Sequence, residues 1–224
     1  MIIAKAFMEK ARAEGGAKGQ AVWLVGGTWL VWGGGVWEPR TGEQIERELW
    51  RWMDQLWYCT GGKDMSFAKL VPKKGVVADV MAALAARCEG PWERTPVWVT
   101  AEKRPDPMEC VAFQDVVLWV RPEGAEVVCR RDETWLDVGG VPAQWANRGE
   151  GCPRWMQALE EWSCGDQKWK DLLQRFMGYC LMGKRGYAKW MLMQGKSRAG
   201  KGVIADVLKT LVGQGGWFET GMSE

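Results

Sequence analysis

The spacing of apolar residues changes several times along the chain, and each change predicts an element. Between Ala4 and Glu14, Phe7, Met8 and Ala11 share one helical face, and Gly15-Gly16 stops the run. This short helix reads as a linker or as the tail of something upstream. From Val22 the pattern turns β-rich: Val22-Trp23-Leu24-Val25, Thr28-Trp29-Leu30-Val31-Trp32 and Val36-Trp37-Glu38 are separated by Gly26-Gly27 and Gly33-Gly34-Gly35. Short β-prone runs with glycine punctuation predict a small antiparallel meander. Thr41-Gly42-Glu43-Gln44 has the form of a capping box, and Ile45, Leu49, Trp52, Met53 and Leu56 then recur at helical spacing. A second helix carries Val76, Val77, Val80, Met81, Leu84 and Cys88 and closes at Gly90-Pro91.

Further on, Val97-Trp98-Val99, the run from Val111 to Val120 and Val127-Val128-Cys129 predict strands, with a turn at Arg121-Pro122-Glu123-Gly124. The segment from Gly139 to Gly151 lacks either period and reads as a domain boundary. After it, Pro153 suits the first position of a helix bearing Trp155, Leu159 and Trp162. Asp166 suits the cap of another, with Trp169, Leu172, Leu173, Phe176, Met177, Cys180 and Leu181 on one stripe and Gly183 as its stop.

One stretch combines pattern with chemistry. Lys189-Trp190-Met191-Leu192-Met193-Gln194 reads as a buried strand, and Gly195-Lys196-Ser197-Arg198-Ala199-Gly200-Lys201-Gly202 as a glycine-bounded loop. The helix that follows runs to Val212, with Val203, Ile204, Val207, Leu208, Leu211 and Val212 on one face. Gly195, Gly200 and Lys201 match G-x-x-x-x-G-K. In such a loop the main-chain N–H groups turn toward a polyphosphate, the helix N-terminus adds its positive end, and the lysine contributes a point charge. The expected site therefore comprises Gly195, Lys196, Ser197, Arg198, Ala199, Gly200, Lys201, Gly202 and Val203, with ATP as the ligand. The bland alternative is a chance Gly-Lys loop between two elements. The hydroxyl that ordinarily follows the lysine and holds Mg²⁺ is missing, because Gly202 and then Val203 stand there.

Charge and composition sharpen this only locally. A formal charge of +2 says little about partners, but Lys184, Arg185, Lys189, Lys196, Arg198, Lys201 and Lys209 crowd the stretch from Lys184 to Glu224 against only Asp206, Glu219 and Glu224. No histidine is present, which removes Ser-His-Asp and Cys-His mechanisms. Seven scattered cysteines without a C-x-x-C pair argue against zinc and for reduced thiols in a cytoplasm. No signal peptide and no membrane-spanning run are predicted. The 17 tryptophans could stack single-stranded bases, but most fall at core-facing positions, so packing is the commoner role. Lys69, Lys73 and Lys74, flanking Pro72, are candidate DNA-phosphate contacts, with a solvated turn as the commoner explanation. Asp132, Glu133 and Asp137 could pair for acid–base work, but a solvated face is the expected reading.

In order, these features resemble a family. Cys152-Pro153-Arg154-Trp155, Phe176-Met177-Gly178-Tyr179-Cys180-Leu181-Met182-Gly183 and Arg198-Ala199-Gly200-Lys201-Gly202 look like segments of the phage- and plasmid-type primase–helicases. These carry a superfamily 3 helicase domain of AAA+ type behind a poxvirus-like N-terminal domain. Val111-Ala112-Phe113-Gln114-Asp115-Val116-Val117-Leu118 resembles that family's "AFRNGVLDL" segment, with Gln114, Asp115 and Val116 in place of Arg-Asn-Gly. Trp29-Leu30-Val31-Trp32 with Val36-Trp37 is similar to its "WLVWDG…W" opening, and Val203 stands where its loop usually has threonine.

The resemblance implies an α+β N-terminal domain followed by the start of a P-loop α/β domain. The expected division is a linker or tail helix over 1–19, the N-terminal domain over 20–148, and the helical lead-in, strand, P-loop and helix of an incomplete helicase domain over 149–224. It also implies ATP with Mg²⁺ as cofactors, single-stranded DNA as a partner, a homo-oligomeric ring, and a bacterial host cytoplasm. The family's metal-holding acidic motif, polar sensor and arginine finger follow the loop and are not reached by Glu224. The implied molecule is thus an N-terminal helicase portion that binds nucleotide and hydrolyses little. The alternative is a non-catalytic assembly or DNA-loading module with a degenerate P-loop. A small nucleotide kinase is a third reading, disfavoured because its phosphate loop would lie near the start of the fold.

Overall fold

The computed structural model describes residues 2–61, 66–100, 103–183 and 189–213. The fold mixes six helices with small antiparallel sheets among the described residues. It divides into two compact units, Met1–Thr95 and Pro96–Glu224.

The first unit starts with α1 (Ile2–Gly15). Its Ala4, Phe7 and Ala11 are buried, and Phe7 meets Trp52 edge-on at 5.4 Å between ring centroids. The predicted lead-in helix is therefore part of a core rather than a tether. Strands β1 (Val22–Val25), β2 (Thr28–Trp32) and β3 (Trp37–Arg40) form the expected meander in the order β1-β2-β3. Val25 pairs with Thr28 across a two-residue turn in which Gly26 and Gly27 have φ of +53° and +81°. Positive φ at both central positions matches the twist of a hairpin, and only glycine adopts it without strain.

Helix α2 (Gly42–Met53) begins where the capping box predicts. Thr41 Oγ1 accepts from Gln44 N at 3.2 Å, and Gln44 Oε1 accepts from Thr41 N at 2.8 Å. Ile45, Leu49 and Met53 are buried with Val77, Val80, Leu84 and Cys88 of α3 (Lys74–Cys88). Each such side chain contributes about 1.5–3 kcal/mol by leaving water. Between these helices lies a hairpin that the sequence pattern does not predict, β4 (Trp57–Thr60) with β5 (Ser66–Lys69).

In the second unit β6 (Val97–Trp98) pairs with β10 (Trp135–Leu136). A three-stranded sheet is built from β7 (Cys110–Ala112), β8 (Val116–Arg121) and β9 (Gly124–Arg130). The predicted single run from Val111 to Val120 is thus two strands, broken at residues 113–115, where Phe113 N donates to Val116 O at 2.8 Å. Three helices follow: α4 (Pro153–Ser163), α5 (Gln167–Leu181) and α6 (Lys201–Val212). Asp166 caps α5 by accepting from Lys168 N and Trp169 N.

The loop from Gly139 to Gly151 lies within the second unit. That loop is stapled to the sheet. Val141 N donates to Ala112 O at 2.8 Å, Gln114 N to Ala143 O at 3.0 Å, and the Asp115 carboxylate accepts from Trp145 N at 2.7 Å and Ala146 N at 3.2 Å. Beside it, Arg131 donates to Gly139 O and to Asp137, whose other oxygen accepts from Trp135 Nε1 at 2.7 Å. The side chains of Arg131 and Asp137 are only 2% and 10% exposed. The expected solvated face therefore fails at Asp137, which is half of a buried ion pair.

Candidate nucleotide-binding site

Helix α6 is held by its apolar face. Ile204 is buried with Leu159, Leu173 and Met177, and Val207, Leu208 and Leu211 pack on the same cluster together with Trp155, Trp162 and Trp169. Val203, placed on that face by the sequence pattern, is instead about half exposed. Leu172 of α5 is likewise exposed.

The helix starts abruptly. Gly200 is its N-cap with φ +81°, no side chain caps it, and no acid lies in the first turn. A Cβ on Gly200 would lie 2.6 Å from Trp162 Nε1 and Cε2, so the indole occupies the space that any other residue would fill. Arg198 has φ +62°, a left-handed conformation costing a non-glycine residue about 1–2 kcal/mol. Such strain is often found in ligand clamps.

Across this loop lies Lys201. Its Nζ donates to Gly195 O at 2.8 Å and to Lys196 O at 2.7 Å, drawing the ends of the loop together. An ammonium has three donors, so one remains. Residues 197 and 198 form a turn, and at the start of the helix Ile204 N donates to Gly200 O at 3.1 Å. The loop thus brings one cationic donor to a helix N-terminus without a side-chain cap, a combination that suits a polyphosphate. A cavity of about 300 Å³ adjoins it, bounded by Gly195, Ala199 and Lys201 on one side and by Met191, Leu172, Trp162 and Trp169 on the other. Its only polar side chains besides the two indoles are Gln194 and Lys201. With no carboxylate or hydroxyl in the wall, the arrangement favours binding over acid–base chemistry.

Gly202 and Val203 carry no side-chain oxygen after Lys201, and no cluster of three or more potential metal ligands occurs among the described residues.

The predicted strand over Lys189–Gln194 is not formed. The segment is irregular, with Trp190 and Leu192 largely exposed. A strand needs a neighbour to satisfy its backbone, and the two sheets of this unit are completed by other residues. Lys184, Arg185, Trp217, Phe218, Glu219 and Glu224 lie outside the described residues.

The other candidate residues lie in the first unit. Lys69 Nζ sits 3.3 Å from Asp54, while Lys73 caps α3 without a side-chain bond and Lys74 opens that helix, both exposed. A larger cavity there, about 510 Å³, sets Lys10, Arg40 and Arg51 against Glu14, Glu38 and Glu48, so it carries no net attraction for an anion. Burial pushes the Cys110 thiol up to about 12 and Cys88 up to about 11, and both are poor nucleophiles. Most tryptophans among the described residues are buried or half-buried, as expected; Trp57 and Trp190 are not.

No helix among the described residues is long and apolar enough to cross a membrane. In comparison with known proteins, no family model matches the chain and no curated protein matches it significantly.

Proposed function

We propose that the loop from Gly195 to Val203 grips the phosphates of ATP, and that the protein serves an ATP-driven DNA helicase of the superfamily 3 kind in phage or plasmid replication. Single-stranded DNA is its substrate and a homo-oligomeric ring its working form, in a bacterial cytoplasm. The observation that carries this reading is Lys201, whose Nζ bridges Gly195 O and Lys196 O at the N-terminus of α6. In support, the segments quoted from Cys152 to Gly202 follow one another as in primase–helicases.

A second reading, a non-catalytic assembly or DNA-loading module, is favoured by a separate feature. Neither Gly202 nor Val203 offers the hydroxyl that would hold Mg²⁺. The two readings separate in one experiment, in which ATP-analogue affinity is titrated with and without Mg²⁺ for the wild type and Val203→Thr. The helicase reading expects nucleotide binding in both proteins, with Mg²⁺ tightening it more in the variant. Binding that ignores Mg²⁺ in both proteins supports the module.

A further inference from the structure

The β4–β5 hairpin presents an unusual surface. Trp57 is 65% exposed and Phe67 is 70% exposed, although both belong to regular strands. Their register places them together: Trp57 pairs with Lys69 and Cys59 with Phe67, so these four side chains alternate onto one face. Trp57 and Phe67 are then diagonal neighbours about 7–8 Å apart, two aromatic platforms with a lysine beside them. Tyr58, paired with Ala68, is also half exposed, on the opposite face. An isolated two-stranded hairpin is marginal in water, and showing its large aromatics to solvent adds nothing to its stability.

Positive charge adjoins this face. Only three residues separate Lys69 from Lys73, which caps α3, and Lys74 follows. The first turn of α3 contains no acid, so the positive end of a 15-residue helix is not offset locally. Neither Lys73 nor Lys74 makes an ion pair among the described residues, and the pair Lys69–Asp54 is solvent-exposed and correspondingly weak. Four chain steps of about 3.8 Å put Lys73 within ~15 Å of Lys69.

We infer that this hairpin face binds single-stranded nucleic acid, with Trp57 and Phe67 stacking on bases and Lys69, Lys73 and Lys74 taking the flanking phosphates. A second protein chain would suit the aromatics but not the uncompensated lysines and helix end. A single strand suits both, because every base has a π-face and every step a charge. The inference names a site for the DNA partner of the preceding reading, but it uses residues of the other unit and stands whether or not the phosphate loop binds ATP.

The test is fluorescence anisotropy of a labelled oligothymidylate with the whole chain. Trp57→Ala and Phe67→Ala are each expected to weaken binding about five- to hundred-fold, while Trp57→Phe keeps most of it. Lys73→Glu with Lys74→Glu should flatten the dependence of log K on log salt by about 1.4, or 0.7 for each phosphate that is no longer neutralised. Lys201→Ala should leave oligonucleotide binding unchanged, and Trp57→Ala should leave ATP-analogue binding unchanged, which keeps the two sites distinguishable. Because both aromatics are exposed, melting temperature should stay at the wild-type value. Wild-type affinity in both alanine variants overturns the inference, as does a loss of affinity accompanied by a matching fall in melting temperature. A change in oligomeric state with DNA binding intact also overturns it, and assigns the face to a second copy.

Discussion

Two glycines two residues apart should respond in opposite ways to the same substitution. Gly200→Ala puts a methyl group where φ is +81° and where the nearest atoms, Trp162 Nε1 and Cε2, are 2.6 Å away. The left-handed conformation costs about 1–2 kcal/mol for a residue with a Cβ. Displacing a packed indole adds about 1–3 kcal/mol, as overfilled sites generally do. The sum is roughly 2–5 kcal/mol. At about 4 °C per kcal/mol for a unit of this size, the transition of the α4–α6 cluster falls by roughly 8–20 °C. Gly202 has no φ constraint and no atom within 4 Å of an added Cβ. Alanine there gains up to about 1 kcal/mol of helix propensity. Differential scanning calorimetry of the two variants, with an ATP-analogue titration of each, reads both effects. Gly202→Ala should melt at or slightly above wild type and keep nucleotide affinity; Gly200→Ala should lose both. Equal melting temperatures for the two variants would refute the packing of Trp162 against the loop.

Other predictions concern the sheet of the same unit. Asp137→Asn leaves the Arg131 guanidinium buried without its partner, at a cost of about 3–5 kcal/mol in chemical denaturation. The double change Arg131→Met with Asp137→Leu should recover part of this, and a cost from Asp137→Asn below about 1 kcal/mol would contradict the buried pair. Burial pushes the Asp115 carboxyl up, but four backbone N–H groups (Trp145, Ala146, its own and Val116) outweigh it and hold the group below its ordinary value. A depressed acid stabilises the fold above its unfolded value, near about 4, and loses that contribution as pH falls through the lower folded value. Asp115→Ala should therefore be less stable than wild type at neutral pH and converge with it on acidification. A gap independent of pH would show that the carboxylate is not the cause.

Where a local signal and a burial pattern coincided, the sequence was sufficient. Thr41 and Gln44 announce α2, Asp166 announces α5, and the Gly26-Gly27 pair announces the β1–β2 turn, because each acts within four residues. What was not legible depends on distant partners. The Gly139–Gly151 loop has no periodicity of its own, yet Asp115 and Ala112 bind it from far upstream. Asp137 reads as surface because its cation, Arg131, is not at helical spacing from it. Residues 189–194 have the composition of a strand but lack a neighbouring strand among the described residues. The β4–β5 hairpin was not legible, because its exposure on both faces gives no hydrophobic alternation to follow. The loop from Gly195 to Gly202 sits between these cases. Its motif is local, whereas the packing of Gly200 on Trp162 and the turn of Lys201 onto Gly195 and Lys196 emerge only in three dimensions.

The central claim is that this loop holds a triphosphate, and equilibrium titration with a slowly hydrolysed fluorescent ATP analogue tests it most directly. Saturable binding is predicted for the wild type. Removing one charge-assisted hydrogen bond, worth about 1.5–3 kcal/mol, should make Lys201→Ala roughly 10- to 150-fold weaker with its fold intact. Absence of saturable binding, or equal affinity in the folded Lys201→Ala variant, would contradict the account.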